Sequence, residues 1–152
     1  MTIILVEDDD DKRRTIAECL TERFPNTDIV QARSMRSGLR AIIEAGGGDV
    51  VVLDMAMPTY DISIDEHGGT PQAYGGRELL RHMSERDIVA PTIVITQFET
   101  FGQGSEALTL EQLDAQLRLE HEQYRGTVYY NSATEEWKDA LFKMVSAAVS
   151  VR

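Results

Sequence analysis

The run Val50-Val51-Val52-Leu53, closed by Asp54 and followed by Met55-Ala56-Met57-Pro58, constrains this chain more than any other stretch. Four apolar residues, three of them β-branched, are too few for a buried helix and suit a strand covered on both faces, as in a parallel sheet. A carboxylate directly after such a strand stands where open parallel sheets carry their ligands, beyond the carboxyl ends of the strands. Taken alone, Asp54 reads more simply as a turn or capping residue. Its weight depends on what else reaches the same edge.

The rest of the chain alternates strand and helix. Thr2 to Val6 is a short apolar strand closed by Glu7 and Asp8, and Asp11 to Phe24 repeats apolar residues at helical spacing behind an acidic first turn. Asp28 to Ala32 reads as a second strand. Ser34 opens a second helix that the glycines at 46, 47 and 48 end. Residues 59–76 are polar, rich in glycine and without period, a long loop leaving the edge that holds Asp54. A helix over Arg77 to Arg86 and a strand over Pro91 to Thr96 follow, placing Thr96 at that edge too. Gln97 to Leu108 reads as another loop, Leu108 to Tyr124 as an amphipathic helix, Thr127 to Tyr130 as the fifth strand, and Thr134 onward as the last helix. Helical crossovers between strands predict a parallel sheet with right-handed connections.

Composition narrows the function. The 152 residues fit one domain with its own core, and a formal charge of -11 argues against a nucleic-acid-binding face, which needs clustered Lys and Arg. The longest apolar runs, such as Thr92 to Ile95, are too short to cross a bilayer, and the start at Met1 does not read as a leader, so a cytoplasmic protein is expected. Cys19 alone can form no internal disulfide. Of the acidic residues, the run from Glu7 to Asp11 places five carboxylates in five residues, directly after the first strand. Three carboxylates from neighbouring strand ends raise one another's pKa unless a cation joins them, and oxygen ligands suit a hard divalent ion such as Mg²⁺ or Mn²⁺.

Glu7 and Asp8 after the first strand, Asp54 in the setting LDMAMP roughly 45 residues later, and Thr96 ending VIT together resemble the receiver domain of bacterial two-component response regulators. The resemblance spans residues 1–152 as a single receiver-like domain, with insertions at about 59–76 and in an extended fourth-helix region at about 102–126. It implies an α/β, flavodoxin-like three-layer sandwich whose five-stranded parallel sheet has the order 2-1-3-4-5, with helices on both faces. It also implies that Glu7, Asp8, Asp54 and the backbone carbonyl of Ala56 hold Mg²⁺, that Asp54 accepts a phosphoryl group, and that Thr96 hydrogen-bonds to it. The implied partners are a histidine kinase or phosphotransfer protein and a downstream protein, with homodimerisation through the fourth and fifth helices. Any enzymatic activity is then limited to phosphorylation and dephosphorylation of Asp54 itself.

Two positions depart from the family. Receivers place a Lys after the fifth strand; here, with the last helix capped at Thr134, that position falls on Asn131, and with the cap at Ser132 it falls on Tyr129. Gln97 follows Thr96 where the family has a small residue. Lys12 and Arg13 could restore the charge, but at the start of a helix they are expected to face solvent. A pseudo-receiver that binds partners without phosphotransfer is the alternative reading. An aspartyl-phosphate hydrolase ranks last, since Ala56 stands where its second Asp belongs. Asp61, Asp65, Glu66 and His67 read as a solvated loop, His82 and His121 as partly buried helix residues, and Tyr129, Tyr130 and Trp137 as core or interface aromatics.

Overall fold

A computed structural model describes residues 1–61, 75–102 and 104–150. Five parallel strands form the main sheet: β1 (Thr2–Val6), β2 (Asp28–Ala32), β3 (Val50–Leu53), β4 (Thr92–Thr96) and, after a two-residue antiparallel ribbon of β5 (Thr100–Phe101) with β6 (Leu108–Thr109), β7 (Tyr124–Tyr129). The order β2-β1-β3-β4-β7 is the expected 2-1-3-4-5 once the ribbon strands are set aside. Among the described residues the α-helices are α1 (Asp10–Arg23), α2 (Met35–Glu44), α3 (Gly75–Glu85), α4 (Leu110–Glu120) and α5 (Glu136–Ser150).

The continuous apolar strands are explained by the two cores they separate. Ile3, Leu5, Val50, Val52, Ile93 and Ile95 pack with Ile16 and Leu20 of α1 and Trp137, Leu141 and Val145 of α5. Ile4, Val6, Val51, Leu53 and Val94 face the other way, onto Ile42 of α2, Leu79, Leu80 and Met83 of α3 and Leu113 and Leu117 of α4. Successive side chains of a strand alternate between faces, so a strand sandwiched by helices must be apolar throughout. Trp137 and Tyr130 are buried against each other, with ring centroids 4.9 Å apart, whereas Tyr129 is exposed.

Boundaries differ from the sequence expectation in several places. The helix expected from Leu108 starts at Leu110, because Leu108 and Thr109 pair with β5 and Thr109 then caps the helix. The last strand begins at Tyr124, three residues early, and accommodates Gly126 (φ +135°) at a register shift against β4. The last helix starts at Glu136, and Thr134 lies in the preceding turn. The loop expected at 59–76 falls for the most part outside the described residues, as do Asp65, Glu66 and His67.

His121, at the C-terminal end of α4, is buried, and its Nδ1 lies 2.8 Å from the Ser84 hydroxyl of α3, which also accepts from Gln123 Nε2 at 3.0 Å. Burial holds the imidazole below its ordinary value of 6.5. At this residue the native state therefore binds fewer protons than the unfolded chain below that pH, and its contribution to stability is lost as pH falls through it. In urea unfolding from pH about 7.5 to 5, His121→Gln should gain stability relative to wild type as pH falls; a constant difference between the two would exclude His121 as a contributor.

Candidate metal and phosphoryl site

Register brings the acidic residues together. Val6 pairs with Leu53 and Leu53 with Val94, so the residues that follow leave the sheet side by side. The ladder runs one step further: Glu7 N–H donates to the Ala32 carbonyl (2.9 Å) and Asp54 N–H to that of Val6 (3.0 Å). Glu7, Asp8 and Asp54 each present a carboxylate oxygen, and the three atoms lie within 4.8 Å of one another. Glu7 and Asp54 are buried and Asp8 is half-buried, whereas Asp9, Asp10 and Asp11 are exposed. The five-acid run thus divides: its first two residues belong to the cluster, and Asp9 caps α1, its side chain accepting from the Lys12 N–H at 3.0 Å.

That cap sets up a feature the sequence reading assigned wrongly. Lys12 does not face solvent; it is 4% exposed, and its ammonium reaches into the cluster. Nζ lies 2.7 Å from Glu7 Oε1 and 3.5 Å from Asp54 Oδ1, and it donates to Gln97 Oε1 at 2.6 Å and the Ile95 carbonyl at 3.3 Å. It also stands 5.5 Å from the centre of the Tyr130 ring. A signal was present: Lys12 precedes Ile16 and Leu20 by four and eight residues, on the stripe α1 buries. Arg13 is half-buried rather than solvent-facing, paired with Asp10 at 2.7 Å and donating to the Glu7 backbone carbonyl at 3.1 Å. Asn131 contributes nothing to the buried cluster. It is exposed, and its side-chain oxygen accepts from the Ala133 N–H at 3.0 Å.

Burial pushes the Glu7 carboxyl well above the ordinary range, and the charge of Asp54 adds to this while Lys12 opposes it. Burial likewise raises Asp54, with Lys12 lowering it and Asp8 raising it. Glu7 Oε1 and Asp54 Oδ1 accept no hydrogen bond of good geometry among the described residues. With all three carboxyls ionised, as metal binding requires, they and one ammonium sum to two negative charges, which a single divalent cation balances, and an all-oxygen donor set fits a hard one. Ala56 is half-buried in the turn after Asp54.

Two further residues shape this edge. Thr96, fully buried at the end of β4, accepts from the Phe98 N–H at 3.2 Å through Oγ1. Gly76, at the start of α3, donates to the Met55 carbonyl at 2.8 Å. A Cβ there would stand 2.5 Å from the Asp54 carbonyl oxygen and 2.9 Å from the Met55 Cα, so only glycine lets the helix dock this closely.

A parallel sheet of this order, with acids leaving β1 and β3 side by side and a threonine ending β4, defines a response-regulator receiver, and the chain belongs to that family. It is 30% identical over 148 residues to the Detocs response regulatory protein DtcB of Enterobacter cloacae, covering 96% of this chain and 99% of that protein. It is 32% identical over 145 residues to the uncharacterized protein y4jR of Sinorhizobium fredii, covering 93% of this chain and 94% of that protein. Among solved structures, a response regulator receiver domain from Clostridium thermocellum superposes with a TM-score of 0.64 at 20% identity, over 98% of this chain and 94% of the other. A LuxR-family response regulator from Aurantimonas gives 0.65 at 24% identity, over 99% and 86%. No protein-family model matches the chain.

Proposed function

We propose that the chain is a phosphorelay receiver in which Asp54 accepts a phosphoryl group from a histidine kinase or phosphotransfer protein and thereby alters binding to a downstream partner. The reading treats residues 1–152 as one signalling unit acting in the cytoplasm and dimerising through its last two helices. Its principal support is Asp54: a buried carboxylate at the end of a central strand, within 4.8 Å of two further acids, with Oδ1 accepting no hydrogen bond among the described residues.

In the proposed reaction an Asp54 oxygen attacks phosphorus. The new O–P bond forms as the P–N bond to the donor imidazole breaks, and the imidazole leaves with that electron pair. Glu7, Asp8, Asp54 and the Ala56 carbonyl would hold Mg²⁺ or Mn²⁺, which when bound offsets the negative charge of the phosphoryl oxygens. Thr96 Oγ1 accepts from Phe98, so its hydroxyl proton is available to the product. The added charge of about -1.5 to -2 then draws the end of β4 toward Asp54. The pseudo-receiver reading rested on two departures, the lack of a cation after the last strand and the large Gln97, and Lys12 in the cluster weighs against the first.

Incubation with Mg²⁺ and phosphoramidate should add one phosphoryl group to the intact mass, and Asp54→Asn should abolish the addition. Wild-type protein that stays unmodified in donor excess while binding a partner would instead favour the interaction module.

A further inference from the structure

We propose that Lys12, delivered from α1, is the cation that pairs with the phosphoryl group on Asp54, and that Gln97 positions it. The inference rests on the receiver reading above and supplies what that reading lacks, a positive charge beside the phosphorylation site. Four observations point the same way.

A lysine ammonium is rarely buried unless it is paired, because removing it from water is expensive. Lys12 is buried and touches both Glu7 and Asp54. The position after β7 offers no competitor: Asn131 is uncharged, exposed and turned to its own loop. Tyr130, the first residue past the strand, is a ring standing beside the Lys12 ammonium. Finally, the second departure from the family explains the first. Gln97 is large where a small residue would leave space for a phosphoryl group, yet its side-chain oxygen is turned to Lys12 at 2.6 Å. Gln97 and the Ile95 carbonyl thus hold the ammonium at the end of β4, while α1 supplies its stem.

With Nζ 3.5 Å from Asp54 Oδ1, an added phosphoryl group falls within reach of the same ammonium. As the O–P bond forms and the donor's nitrogen departs with the P–N electron pair, the three peripheral oxygens carry the charge. Lys12 then gives up Asp54 for one of them, a charge-assisted hydrogen bond. Because Gln97 adjoins Thr96, any movement of Lys12 is carried into the β4–β5 connection.

The test compares rates of phosphoryl addition from phosphoramidate in saturating Mg²⁺ for wild type, Lys12→Gln, Lys12→Arg and the double variant Lys12→Gln/Asn131→Lys. Mg²⁺-dependent thermal shifts check that each retains its fold and acidic cluster. Lys12→Gln should be roughly 100-fold slower, the scale of losing one charge-stabilising donor, and either Lys12→Arg or the charge returned at Asn131 should recover at least about tenfold. A Lys12→Gln rate equal to wild type, with Asp54→Asn still inert, overturns this inference and leaves the receiver reading intact. A slow Lys12→Gln rescued by neither partner also overturns it, because the lysine would then be structural. Wild type that accepts no phosphoryl group overturns both. If Lys12→Gln does not fold, Gln97→Ala decides: it keeps every charge and should slow addition several-fold, whereas an unchanged rate refutes the proposal.

Discussion

Lys12→Met should destabilise the metal-free protein by about 3 kcal/mol, the low end of what removing one partner of a buried ion pair costs. The methionine fills the space of the stem, so the loss isolates the charge: Glu7 and Asp54 are left buried with no cation between them. Proton uptake holds the loss at the low end. Burial already raises both carboxyls, and the folded variant can retain protons to still higher pH. The sign follows from proton counting. Above the ordinary glutamate value of 4.5, the unfolded chain has released protons that the native cluster keeps, so native stability falls as pH rises. Without Lys12 that window extends upward, and the deficit relative to wild type should grow from pH of about 6 to about 8.5. Urea unfolding in a chelator measures it, and millimolar Mg²⁺ should restore most of the loss. Equal midpoints for wild type and variant in chelator would show that Lys12 does not balance the cluster.

Gly76→Ala should be comparably severe, about 3 kcal/mol, at the upper end for overpacking. The added methyl would meet the Asp54 carbonyl oxygen at 2.5 Å and the Met55 Cα at 2.9 Å. Both are backbone atoms of the turn that presents Asp54, so no side-chain rotation relieves the contact. Either α3 retreats or the turn moves. The first lowers stability, seen in urea, and the second should also slow phosphoryl addition, which intact mass follows. Gly38→Ala is a useful contrast. Its methyl meets only side-chain atoms, Val6 Cγ1 at 2.8 Å first, and Val6 can shift to relieve it.

The fold was legible because its strongest signals are local. A strand buried on both faces must be apolar throughout, and Val50 to Leu53 meets that demand; Glu7 and Asp54 then follow paired residues of adjacent strands. The β5–β6 ribbon escaped notice because two-residue strands have no period to detect. Lys12 was misplaced for a different reason. Three exposed acids and two arginines surround it in sequence, and the average character of that stretch is solvated, while helical spacing alone ties position 12 to Ile16. Charge patterning argued outward and periodicity inward. Periodicity prevailed because the acids of neighbouring strands already formed a buried negative site able to receive an ammonium.

Glu7, Asp8 and Lys12 lie within six consecutive residues that leave one strand and enter one helix. Two acids and their counter-charge therefore travel as a single cassette, fixed relative to each other by one cap at Asp9. If Lys12 supplies the cation as proposed, the turn from Asn131 to Thr134, which in relatives built on the usual plan delivers the lysine, has no charge to deliver.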